Sequence, residues 1–167
     1  MMSRDSRLRP RIYRTNDVSS ILGVETWRIK NFVQGKSFGI WQDDERDEKP
    51  GKRGKERRFT FEDLMRIDVA NALCIAGFTP EVTGTALQKV THAEIRRWAN
   101  SYSADGVEES LMLVQASGKW KVLSDKEAMA SFTTAVEHYT GFFFLNLTEL
   151  WEATVRSIDR LESKGEI

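Results

Sequence analysis

Cysteine is almost missing from this chain. Cys74 is the only one in 167 residues, so no internal disulfide can form. It falls on the inward face of an expected helix, which points to an inert buried thiol. Histidine is equally scarce. His92 and His138 stand far apart, and neither has the spacing of a metal site. No apolar run approaches the ~18 residues of a membrane span. The Arg-rich beginning has no apolar segment of the kind a secretory signal needs. No glycine-rich loop could cradle phosphate, and no nucleophile stands with a base. Together these absences point away from an enzyme, a metal, a cofactor or a membrane, and toward a cytoplasmic setting.

What the chain does have is material for a core. It is 40% hydrophobic, with five Trp and nine Phe, which argues against disorder. Net charge is zero but unevenly spread: residues 1–58 carry 15 Lys+Arg against 9 Asp+Glu, and residues 59–167 carry 10 against 16. A basic first part and an acidic remainder suit a protein with one face toward nucleic acid.

Residues 1–12, with Arg4, Arg7, Arg9 and Arg11, read as a flexible basic arm. Thr15 or Asn16 can cap a helix that buries Val18, Ile21 and Leu22. Gly23 supplies a tight turn, and a second helix follows with Ile29, Phe32 and Val33 inward. Thr26, Trp27, Lys30, Asn31 and Gln34 are left facing outward or sideways. Trp27 is open to two readings here, contact or core. Asp43 to Arg58 is a dense charge run, acidic then basic, read as a mobile hairpin or wing. Thr60 with Asp63 opens a further helix that Gly77 ends, and Thr79-Pro80 starts the next. Thr91 to Glu94 opens a short helix bearing Ile95 and Trp98.

The polar stretch Ser101 to Gly106 is the expected boundary between two subdomains. Beyond it, residues 111–123 read as a β-hairpin turning at Ser117-Gly118, Ser124 to Glu127 caps a helix, and Phe142 to Leu145 reads as a strand. Asn146 caps the last helix. The expected fold is therefore α+β, with a basic arm over 1–12, a mostly helical winged helix-turn-helix unit over 13–101, and a small α+β subdomain over 107–167.

The order Leu22-Gly23-Val24, then Ile29-Lys30 with Phe32, then Arg57-Arg58-Phe59 with Asp63-Leu64, then Gly77-Phe78-Thr79, resembles the winged helix-turn-helix of the MerR family of bacterial transcription regulators. The resemblance covers about residues 13–90. It implies a second helix in the major groove, with Thr26, Trp27, Arg28, Lys30 and Asn31 near base edges or phosphates. It implies Arg57 and Arg58 on the backbone, with Lys52, Arg53 and Lys55 nearby. The family's metal-sensing members use several cysteines, so that chemistry does not carry over to a chain with one.

The family's long dimerising helix has no counterpart. In its place Leu147, Trp151, Thr154, Ile158 and Leu161 form a heptad seam on the last helix, the expected contact of a homodimer, although the same face would equally serve to pack on the chain's own hairpin. Trp120, Tyr139, Phe142, Phe143, Phe144 and Trp151 could line a pocket for a small-molecule effector or simply fill the core. The expected function is sequence-specific binding of double-stranded DNA as a transcription regulator. A non-regulatory DNA-binding accessory, excisionase-like or chromosome-organising, and a protein-interaction adaptor on the same fold remain as alternatives.

Overall fold

In a computed structural model, the described residues are 12–34, 38, 57–103, 106–107, 110–138 and 141–167. They form a mixed α+β structure that is mostly helical. In chain order the elements are β1 (Tyr13–Arg14), α1 (Thr15–Leu22), α2 (Thr26–Gln34), β2 (Arg58–Phe59), α3 (Phe61–Ile75), α4 (Pro80–Leu87) and α5 (His92–Ser101). Then come β3 (Tyr102–Ser103), β4 (Gly106–Val107), β5 (Leu111–Ala116), β6 (Lys119–Ser124), α6 (Asp125–Glu137), β7 (Phe142–Asn146) and α7 (Leu147–Ser163).

The helix starts follow local chemistry. The Thr60 hydroxyl accepts from the Asp63 backbone N–H at 3.2 Å, and the Asp63 carboxylate accepts from the Thr60 N–H at 2.8 Å. Ser124 and Glu127 make the same reciprocal pair, and the Asn146 side chain accepts from Glu149 N–H. At α1 the cap differs from the expectation at Thr15 or Asn16. The helix begins at Thr15 itself, and Asp17 reaches back to the backbone N–H of Arg14 at 2.7 Å. Gly77 has φ +93° and ends α3 with paired bonds, Phe78 N–H to the Leu73 carbonyl and Gly77 N–H to the Cys74 carbonyl.

α3 is the axis of the molecule. Leu64, Met65, Ile67, Val69, Ala70 and Leu73 are all fully buried, with α2, α4, α5 and α7 packed around them. Three antiparallel strands in the order β6-β5-β7 cover one side. Period-two alternation turns Leu111, Leu113, Trp120, Phe143 and Leu145 toward the main core, and Met112, Val114, Phe142 and Phe144 toward α6. Ser117 (φ +50°) and Gly118 (φ +75°) make the two-residue turn between β5 and β6.

The buried cluster does not divide at residues 101–106. Val18 and Ile29 from the first helices belong to the same core as Trp151 and Ile158 from the last. The stretch expected to be a linker contributes β3 and β4, a short antiparallel pair. α7 is stitched into three other elements: Leu111 N–H donates to Thr148 Oγ1 at 2.9 Å, Thr154 Oγ1 to Asp68 at 2.6 Å, and Ser157 Oγ to the Ile21 carbonyl at 2.8 Å.

That packing corrects the expected dimer seam. Leu147, Trp151, Thr154, Ile158 and Leu161 are all buried inside the chain, with Trp151 edge-on to Trp98 at 5.2 Å. The periodicity marked an apolar face correctly, but α1, α3 and β5 cover it instead of a second copy.

Candidate nucleic-acid interface

α1 and α2 are joined through Gly23, whose φ of +64° lies in the left-handed region. A side chain there would meet no steric neighbour, so the glycine is required by backbone conformation alone. Val24 fills the corner between the two helices. Ile29 and Phe32 anchor α2, and Phe32 stacks edge-on with Phe38 at 5.1 Å.

Because Ile29 and Phe32 point inward, Trp27, Lys30, Asn31 and Gln34 form the opposite stripe at spacings of three, one and three. All four are exposed. Trp27 is 58% exposed, which settles its two readings against core. Its indole N–H donates to the Glu25 carboxylate, so the ring is tied at the start of α2. Thr26 and Arg28 are half-buried on the flank. The Arg28 guanidinium sits over the Phe32 ring at 5.8 Å, a cation–π contact that holds it beside the helix.

β1 and β2 form a two-stranded antiparallel ladder that pairs Tyr13 with Phe59 and Arg14 with Arg58. Tyr13 and Phe59 are buried, so the two arginines stand together on the outer face of that ladder. Arg58 was a sequence candidate. Arg14 was not, because only the strand register, invisible in a two-residue strand, brings it beside Arg58. Arg57 is half-buried. The remaining basic candidates, Lys52, Arg53 and Lys55, lie outside the described residues, as do the basic arm and most of the charge run.

The aromatic pocket does not assemble. Trp120 and Phe143 pack with Phe78 in the main core at 5.3 and 4.8 Å from it, and Trp151 pairs with Trp98. Phe142 and Phe144 stand on the other face of the sheet, where Phe142 meets Phe132 at 5.3 Å. Strand alternation separates 143 from 142 and 144, so the set cannot line one cavity. Tyr139 lies outside the described residues.

A concave site exists elsewhere, an open groove of about 440 Å³ between α1, α3 and α7. Ile21, Leu22 and Leu150 give its apolar wall, and Asp68, Thr154, Ser157 and Arg160 its polar one. Burial pushes the Asp68 carboxyl up to about 6, partly offset by the bond from Thr154. The groove's polar groups largely satisfy one another: Asp68 takes the Thr154 hydrogen bond, Ser157 donates to Ile21, and Arg160 donates to Ser157 at 3.4 Å. Among the described residues no three His, Cys, Asp or Glu side chains come together as metal ligands. Cys74 is half-buried, 3.9 Å from the Thr83 hydroxyl.

No family model matches the chain, and no curated protein matches it. No helix among the described residues is long and apolar enough to cross a membrane.

Proposed function

We propose that this chain is a sequence-specific DNA-binding transcription regulator, built on a MerR-like winged helix-turn-helix and acting in the cytoplasm as a homodimer. One observation carries the reading: the exposed stripe Trp27-Lys30-Asn31 on a helix anchored by Ile29 and Phe32 and joined to α1 through the left-handed turn at Gly23.

Those side chains are suited to reading bases. Asn31 offers the donor and acceptor that match the major-groove edge of adenine. Lys30 offers donors for guanine or a phosphate, and Trp27 a large face for a thymine methyl. Arg14 and Arg58, paired across β1 and β2, supply positive charge for the backbone. The excess of positive charge in residues 1–58 supports the same orientation. In this reading the chain binds and does not catalyse, and two copies place two reading helices on two half-sites.

Fluorescence anisotropy on a recovered site tests the assignment. Lys30→Ala and Arg58→Ala each weaken binding, and Arg58→Ala does so equally on every sequence while lowering the salt slope by about one. Unchanged affinity in both variants refutes it.

A further inference from the structure

The heptad face of α7 is consumed by the core, so any contact with a second copy must use another surface. α6 presents one. Its inner face touches the sheet mainly through small residues, with Ala128 and Ala135 buried. Its large apolar residues face solvent instead: Met129 is 65% exposed, Phe132 44% and Val136 56%. Phe132 meets Phe142 at 5.3 Å, and Phe142 lies 6.3 Å from Phe144, itself 58% exposed. The patch thus runs unbroken from α6 onto β7.

Among the described residues β7 is also an edge strand, in a sheet ordered β6-β5-β7. Its sequence, Phe142-Phe143-Phe144-Leu145-Asn146, holds no charge and no proline. Edge strands left open to solvent are normally guarded by one or the other. An aromatic edge strand without charge or proline, beside exposed apolar residues on a helix, is the kind of surface that a partner covers.

We infer that the flank of α6 that carries Met129, Phe132 and Val136, together with Phe142 and Phe144, is where a second copy of this chain docks. The surface is complementary to itself. At about 100° per residue, Met129, Phe132 and Val136 fall within about 60° of arc, and Lys126 and Glu137 lie on one flank within about 20° of each other. Lys126 and Glu137 sit at opposite ends of α6, about 16 Å apart along its axis, and both are exposed. When two α6 helices pack antiparallel about a two-fold axis near Phe132, Lys126 meets the partner's Glu137, and Glu137 meets the partner's Lys126. Met129 then meets the partner's Val136. Such an isologous contact closes on itself as a dimer. The exposed apolar surface is on the order of 400 Å² per copy, about half of a standard protein–protein interface. Lys126, Glu137 and Thr133 would form its polar rim.

This surface is separate from α2 and from the Arg14–Arg58 ladder, and its test needs no DNA. Sedimentation equilibrium of the full chain from roughly 1 to 100 µM is expected to show a monomer–dimer equilibrium. Phe132→Glu should weaken it by about tenfold or more, with helical circular dichroism unchanged. Lys126→Glu alone should weaken it several-fold, and adding Glu137→Lys should restore it. Within one chain those two residues are too far apart to pair, so restoration reports contact between copies. A monomer at every concentration overturns the inference and leaves the patch to a different partner. A dimer indifferent to Phe132→Glu, or a double charge swap that fails to restore, overturns it as well, whatever the outcome of DNA-binding measurements.

Discussion

Thr154 on the last helix donates a 2.6 Å hydrogen bond to the carboxylate of Asp68, 86 residues earlier on the central helix. The bond lies beneath the groove that the last helix forms with α1, one turn from the contact of Ser157 with the Ile21 carbonyl. The central helix, the first helix and the C-terminal helix are therefore held in one piece through these contacts, one of which ends on a buried carboxyl.

That carboxyl has a pH signature. Burial raises the Asp68 carboxyl from 3.8 to about 6. The folded protein then holds this proton more tightly than the unfolded chain does. Below about pH 4 the group is protonated in both states and its contribution to stability is fully present; it is lost as pH rises to about 6 and beyond. The rise in pKa corresponds to roughly 3 kcal/mol. Asp68→Asn removes the titration and keeps an acceptor for Thr154. Urea unfolding from about pH 4 to about pH 8 should show the variant gaining on the wild type by about 1–3 kcal/mol. A difference that stays flat across that range contradicts the assignment.

Trp151 and Trp27 should behave as opposites. Trp151 is fully buried against Trp98, and truncation to Ala should cost about 3–5 kcal/mol. Trp27 is exposed, and its truncation should change stability by no more than about 0.5 kcal/mol while lowering DNA affinity. Chemical denaturation followed by circular dichroism separates the two, and equal costs would contradict the placement of both residues.

Gly23 tests the turn. Its backbone is left-handed, and an added methyl group meets nothing within 4 Å. Gly23→Ala should therefore cost about 1–2 kcal/mol, all of it from the backbone conformation. A neutral or stabilising result in thermal melts would mean that the α1–α2 corner does not need the left-handed residue.

Much of this fold was legible in the chain because its signals are local. Thr60 with Asp63, Ser124 with Glu127, and Asn146 with Glu149 each announce a helix within four residues, and Gly77 and Gly118 mark turns that only their φ angles allow. The outward stripe of α2 follows from the same kind of spacing. What escaped is what depends on distant partners. The period of Leu147, Trp151, Thr154, Ile158 and Leu161 says that one face is apolar but not which surface covers it. Three consecutive phenylalanines read as one cluster until a strand sends 143 to one side and 142 and 144 to the other. Arg14 carries no local sign of its pairing with Arg58, and nothing near Asp68 announces that Thr154 will bury it.

If the exposed stripe of α2 reads bases as proposed, its variants can be ranked. Asn31→Ala should relax base preference at one position, at a cost of about 1–3 kcal/mol on the preferred site and little elsewhere. Arg14→Ala should behave like Arg58→Ala, weakening all sequences alike. Binding isotherms on the preferred site and on a single-base variant decide this, and a uniform loss for Asn31→Ala would move that residue from base to phosphate.

The most direct measurement is retention of genomic fragments by the full chain at about 50 mM and about 200 mM salt, with the retained DNA sequenced. The account predicts a recurring two-fold-symmetric motif whose retention falls steeply between the two conditions. An absence of retention at the lower salt would contradict DNA binding outright, and salt-sensitive retention with no motif would contradict sequence-specific reading.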